Sequence, residues 1–467
     1  MPRAGWRKSE SDRRLSDLVS VGVLTRVFPP DLVDEVIEAA GCTQQRHRAL
    51  PARVMAYFSI GMALFSQGSY EDVLGQLTDG LAWASGWRQE YALPGKSAIF
   101  QARQRLGSQP LAALFARVAV PLGGPDTPGV WLAGRRLVAI DGMCLDVADT
   151  GENAAFFGRP GVNKGEKAAF PQARVLALAE CGTHAIFAAQ VGTYGESEAV
   201  LAERLLPALA PGMLLTADRG FFSYALWRKA TGTGAELLWR VRTDAAGPKP
   251  VHVRDLPDGS WLAHLRRSTE RSGEPMLARV IDYTIDDGRE NPIGYRLLST
   301  IVDPADASAV ELAAAYTQRW EIELAFDELK THQRGARSVL RSKSPDLVLQ
   351  EIWGHLCCHY AIRSLMSAAA EARRARPGPG QLRRRVADHQ SHPGPRRGFS
   401  PLTRPTPTST AARLPDPAAR PAEPGPTTKS SPSGHQTQDA QVAGQTCTPR
   451  RLDPTALPPR YTTLTPN

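Results

Sequence analysis

Six residues in this chain have types and spacings that suggest chemistry. Asp141 follows the apolar run LVAI and Asp218 follows LLTA, each where the run gives way to glycine. Ligands and catalytic groups collect at such strand ends in α/β sheets. Taken singly, either aspartate also reads as a turn residue, since Asp-Gly and Asp-Arg-Gly are ordinary turn formers. Asp146 and Asp149, in DGMCLDVAD, are nearby competitors. The other four residues share one predicted helix over 312–333: Tyr316, Arg319, Glu323 and Lys330, in the pattern Y-x2-R-x3-E-x6-K. These offsets place them along one helix face. A carboxylate flanked by Arg, Lys and a phenol suits metal binding by the carboxylate and phosphate binding by its neighbours. Standing alone, the same pattern is a solvated face with Glu323 paired to Arg319 or Lys330.

The elements around these residues alternate. RRLVAIDG is predicted as a buried strand ending in a turn, and FPQARVLALAEC and HAIFAAQVGTY as two more joined at Cys181-Gly182-Thr183. ESEAVLAERLLPALAPG follows as an amphipathic helix with acidic residues in its first turn. GMLLTADRG is then a strand, FSYALWRKATGTG a helix and AELLWRV a strand. The order predicts an α/β domain over 130–370 with a central sheet covered by helices. Residues 242–300 interrupt it with short strand-like pieces (PVHVRDL, SWLAHLR, MLARVIDYTI, YRLLSTIV) and turns, which predict a β-rich insertion. A last helix is expected at about 345–370. Residues 15–120 are helical in pattern and predict a small N-terminal domain, serving either to bind DNA ends or as a structural bundle.

Composition bounds the rest. The net charge of +9 suggests a nucleic-acid partner, but the tail from residue 371 holds 15 basic and 6 acidic residues, which leaves 41 of each before it. The body is balanced, so basic composition says little about what it binds. The tail also carries 18 of the 38 prolines and no hydrophobic periodicity, so 371–467 is expected to be disordered. It reads either as a basic arm or as sequence that has left its ancestral frame. No apolar run reaches the roughly 18 residues of a membrane span, and no secretory signal is evident. The six cysteines lack metal-ligand spacing, and Cys357 and Cys358 are expected as buried thiols. A reducing cytoplasm is the expected location.

Asp141 in AIDG, Asp218 in ADRGFFS and the Tyr316–Lys330 signature together resemble a DDE transposase of the fourth insertion-sequence family. The loop DTGENAAFFGRPG and the helical segment 15–90 are also similar to that family, and the resemblance covers about 15–370. It implies a ribonuclease-H-like mixed sheet with a β-rich insertion before the helix carrying the glutamate. It further implies that Asp141, Asp218 and Glu323 are catalytic and bind two Mg²⁺ ions, for which Mn²⁺ substitutes, with Asp141 shared between them. Tyr316, Arg319, Lys330, Arg334 and Arg337 are then expected to contact DNA, with Arg341 and Lys343 continuing the track. Trp261 reads as a core residue of the insertion or a stacking surface for a displaced base. The expected partners are terminal inverted repeats and target DNA, bound by a homodimer, with a hairpin intermediate on the transposon end. A nuclease without strand transfer would use the same carboxylates, and a decayed copy would bind DNA without cutting it. Paired carboxylates of a glycoside hydrolase give no reason for the Tyr-Arg-Glu-Lys spacing.

Overall fold

Proline and apolar periodicity set the first elements. The computed structural model describes residue 22 and residues 24–43, 50–85, 93–161, 168–266, 275–285, 294–333, 339–375 and 461–463. After the Pro29-Pro30 break come α1 (Pro30–Ala39), α2 (Ala52–Leu64), α3 (Tyr70–Ser85), α4 (Lys96–Leu106) and α5 (Gln109–Val118). Proline is tolerated in a first turn because its missing N–H would have no helical partner there. Met55 through Ala63 are all buried, so α2 is central to its surroundings rather than amphipathic.

The sheet follows the predicted order. β1 (Trp131–Leu132) leads into β2 (Arg135–Asp146), then β3 (Gln172–Glu180), β4 (Ile186–Thr193), β5 (Met213–Ala217) and β6 (Glu236–Val241). β2, β3 and β4 are antiparallel, whereas β5 and β6 run parallel to β2. Between them lie α6 (Gly151–Phe157), α7 (Glu198–Leu205) and α8 (Tyr224–Thr231), whose caps Thr150, Ser197 and Ser223 each accept a backbone N–H with the side-chain oxygen. The near-continuous apolar runs are explained by burial on both faces. Val138 and Ile140 face one core with Leu201 and Trp227. Leu137, Ala139 and Met143 face the other, which also takes in the N-terminal helices.

The insertion does not stand apart from this sheet. β7 (Val251–Asp255), β8 (Trp261–Leu265), β9 (Met276–Ile285) and β10 (Gly294–Ser299) match the four predicted pieces, and they continue the sheet in the order β4-β3-β2-β5-β6-β10-β9-β8-β7. β11 (Tyr461–Thr463) pairs with the far end of β9. Trp261 is buried, its indole N–H donating to Asp282 at 3.3 Å, so of its two sequence readings the core one holds.

Two expectations are corrected. Asp141-Gly142 is not a turn: β2 runs on to Asp146, paired with β3 as far as Gln172. Nor is 312–333 one helix. It divides into α9 (Ala309–Thr317), α10 (Trp320–Asp327) and a π-helical segment, Glu328–Gln333. Across the first break the backbone bonds tighten to i→i−3: Gln318 N–H to Ala315, Arg319 to Tyr316, Glu321 to Gln318 and Ile322 to Arg319. The Thr317 hydroxyl adds a bond to the Ala314 carbonyl at 2.6 Å, a competition that bends helices.

α11 (Pro345–Ala375) lies against α2, and Cys357 and Cys358 are buried in it as expected. The two helices approach closely at Gly354, where an added Cβ would meet the Ser59 carbonyl oxygen at 2.4 Å. Alanine in place of glycine gains about 1 kcal/mol of helix propensity, but overpacking against backbone costs about 1–3 kcal/mol. Gly354→Ala is therefore expected to lower the melting temperature despite its better propensity. A melting temperature above that of the wild type would show that the two helices are not held at this distance.

Candidate active site

Asp141 and Asp218 meet because their strands are neighbours. β2 and β5 pair in parallel up to Ile140 opposite Ala217, where β5 ends. Asp141 thus stands at the first position of β2 beyond its partner, next to Asp218. Both lie in the alternation of the face that carries Leu137, Ala139 and Leu214. The Gly142 N–H donates to Asp141 Oδ1 at 2.8 Å and orients it.

The broken helix closes over that face. Arg319, at the break, donates through Nη1 to Asp141 Oδ2 at 3.3 Å and through Nη2 to Glu323 Oε1 at 3.0 Å. The Tyr316 hydroxyl donates to Asp218 Oδ1 at 3.3 Å, and Arg240 Nη1 on β6 lies 3.7 Å from the same oxygen. The three carboxylates predicted from sequence are therefore gathered by two residues of the same signature.

Electrostatics show a site short of positive charge. Burial pushes the Asp141 carboxyl above its usual range, with Asp218 adding to the rise and Gly142 and Arg319 opposing it. Burial likewise raises Glu323, helped by repulsion from Asp141 and Asp218. Burial works against the Arg319 charge too, yet Tyr316, Asp141, Asp218 and Glu323 outweigh it and hold its pKa up. The Tyr316 hydroxyl is raised, mainly by burial.

The remaining sequence candidates divide. Tyr316 and Arg319 were expected on DNA, but they are 5% and 6% exposed and engaged by carboxylates. In this arrangement both side chains are turned to the carboxylates. Lys330, in the π-helical segment, lies near Cys144 on β2, whose thiol burial pushes up while the Lys330 charge opposes the rise. Arg341 leaves the expected DNA track: its guanidinium donates to the carbonyls of Gly68, Met62 and Ser66. Arg334 and Arg337 lie outside the described residues. Asp146 accepts from Gln172 and Asp149 pairs with Arg159, so neither competitor joins the site. Three residues near these were not singled out from the sequence. Arg219 and Arg242 line an open recess of about 400 Å³ with Gly220 and Phe222, beside Asp218. Trp320 is 49% exposed, with the Arg319 guanidinium 5.4 Å from its ring centroid. An exposed tryptophan directly after the signature arginine was a legible signal.

Oxygen ligands alone suit a hard divalent cation, and the half-buried carboxylates repel one another, so the donor set fits such ions by its chemistry. Among the described residues, no three His, Cys, Asp or Glu side chains are spaced to ligate one ion in common. Arg319 now supplies the positive charge between two of them.

A mixed sheet with carboxylates at the ends of two neighbouring strands under a helical glutamate is the arrangement expected of a DDE transposase. Residues 132–361 match the transposase DDE domain and residues 18–116 the N-terminal region of insertion element 4 transposases. The chain is 31% identical over 369 residues to transposase InsG for insertion sequence element IS4 of Escherichia coli K12, covering 78% of this chain and 80% of that one. It is 25% identical over 229 residues to the putative transposase InsZ of the same organism, covering 49% of this chain and 74% of that one. A cryo-EM structure of a piggyBac transposase synaptic complex with hairpin DNA aligns over 76% of each chain at 11% identity and a TM-score of 0.38, too distant to bear on mechanism. The chain belongs to the IS4 family of DDE transposases, enzymes of insertion-sequence transposition that work with divalent metal ions on DNA.

Proposed function

We propose that this transposase cuts its element at the terminal inverted repeats and joins the ends to target DNA, using Asp141, Asp218 and Glu323 to hold two Mg²⁺ ions. The carrying observation is the convergence on one face of three carboxylates, two of them held by Arg319 and the third by Tyr316. Asp141 is adjacent to Asp218 through the sheet and to Glu323 through Arg319, so it is the carboxylate that would contribute to holding both ions. When bound, the ions activate a water or 3′-hydroxyl and stabilise the leaving oxygen.

The chain's own residues do the rest. Tyr316 acts as a positioning residue, its hydroxyl fixing one Asp218 oxygen. Arg319 balances the carboxylate charge, and its buried Nε has no partner among the described residues. With ion charge held at the carboxylates, the planar donor set of Arg319 would be free to hold a phosphate. Arg219, Arg242 and Lys330 supply further phosphate contacts, and Trp320 presents a ring face to an unpaired base. The helices of 24–118 are the proposed reader of the inverted repeats. Two ends must be held together, for which a homodimer is proposed, with a hairpin on the transposon end and with action in the cytoplasm.

Cleavage and joining of DNA carrying the flanking inverted repeats, with Mg²⁺ and with Glu323→Gln beside the unmodified protein, tests this reading. Both activities are expected in the unmodified protein and in neither case with the variant. Specific binding without cleavage by either protein would overturn it in favour of a decayed copy.

A further inference from the structure

A second polar cluster lies behind the helix that carries Glu323, and the mechanism above makes no use of it. Glu321 and Glu328 are seven residues apart and so share a helix face. His184, in the turn between β3 and β4, places Nε2 against Glu321 Oε2 and Nδ1 3.1 Å from Glu328 Oε1. Arg363 of α11 donates to the same Glu328 oxygen, and His359 Nε2 lies 3.4 Å from the other. Two elements separate in sequence therefore grip one side of α10 and the π segment. His184 has φ of 57°, an uncommon conformation for a residue with a side chain, which the turn must sustain.

We propose that His184, Arg363 and Glu328 are positioning residues that set the rotation of α10, and through it the place of the Glu323 carboxylate. α10 has eight residues and is bounded by a tightened turn on one side and a π turn on the other. So short a helix has little stability or fixed orientation of its own. At about 100° per residue, Glu323 projects roughly opposite to Glu321 and Glu328. Turning the helix by about 20° would move a side-chain end at a radius of about 5–6 Å by about 2 Å. Displacements near 1 Å in a catalytic group are enough to cost about a hundredfold in rate. The grip on the back of the helix thus controls the carboxylate on its front.

This inference rests on Glu323 serving as a metal ligand, and its test separates the two. Glu328→Gln, Glu328→Asp and Glu323→Gln are compared with the unmodified protein for Mn²⁺ affinity by calorimetry, for DNA affinity and for single-turnover cleavage. Glu328→Gln keeps size and loses charge. It is expected to weaken Mn²⁺ binding about tenfold and slow cleavage by ten- to a hundredfold, with DNA affinity unchanged and with excess Mn²⁺ restoring part of the rate. Glu328→Asp is expected to recover part of both. If Glu328→Gln melts lower but binds Mn²⁺ and cleaves as the unmodified protein does, the cluster only supports the fold and the inference is overturned. If the unmodified protein itself binds no Mn²⁺ while cleaving DNA, the metal-ligand reading fails and takes the inference with it.

Discussion

Asp141→Asn is expected to reduce cleavage by about a thousandfold or more while the protein melts no lower than the wild type at pH 7. The loss in rate follows from the proposed role of Asp141 in holding both ions. An amide in place of the carboxylate would remove a charged ligand from the proposed ion sites, and metal assistance contributes several kcal/mol at the transition state. At 1.36 kcal/mol per tenfold, that is about a thousandfold. The stability half follows from the raised Asp141 pKa, whose first cause is burial. A carboxyl raised in the folded state lowers stability at every pH where it is ionised, and the penalty fades as pH falls through its folded value towards 3.8. Asparagine removes that penalty at neutral pH. It keeps an oxygen for the Gly142 N–H, and Arg319 keeps Glu323. Added Mg²⁺ is expected to raise the melting temperature of the wild type by mass action and that of the variant much less. Thermal scans with and without Mg²⁺, beside single-turnover cleavage, check both halves. A variant melting several degrees lower would make Asp141 a structural residue.

The same carboxylates show how much of the site was legible in the sequence. Asp141 and Asp218 could be found because each follows an apolar β-branched run, and strand adjacency did the rest. That β2 continues through Asp141-Gly142 could not be seen, since the local dipeptide favours a turn and only pairing with β3 overrides it. Glu323 was found from its spacing, but the break before it was not. Periodicity counts residues and does not register a shift to i→i−3 bonding at Gln318–Ile322. The insertion strands were found because their alternation is local, whereas their joining the main sheet through β10 and β6 is not. Arg341 was placed with a DNA track because a charged run looks the same whether it faces phosphates or the carbonyls of Gly68, Met62 and Ser66. His184 and Glu321 are 137 residues apart. No local pattern joins them.

Distance along the chain also hides the residue whose removal should most weaken the fold. Arg103 is fully buried on α4. It donates to Gln350 Oε1 at 2.8 Å, to the Tyr70 hydroxyl at 2.5 Å, to Ser342 Oγ at 3.2 Å and to the Leu347 carbonyl at 3.3 Å. Gln350 in turn donates to the carbonyls of Arg103 and Gly107, and Ser342 Oγ donates to Glu351. The network fastens the N-terminal helices to the start of α11, the helix that carries His359 and Arg363 behind the active site. Replacing a whole buried polar set with apolar groups is often neutral, but removing one member strands the others. Arg103→Met keeps much of the volume and leaves these acceptors without their donor, so a loss of about 3 kcal/mol is expected. For a body of this size that corresponds to a fall of roughly 5 °C in melting temperature. Gln350→Leu combined with Arg103→Met should cost less than the sum of the two single changes, because the second no longer leaves a partner stranded. Strictly additive losses would mean that the two side chains act separately, and that the N-terminal helices are held by apolar packing against α11 alone.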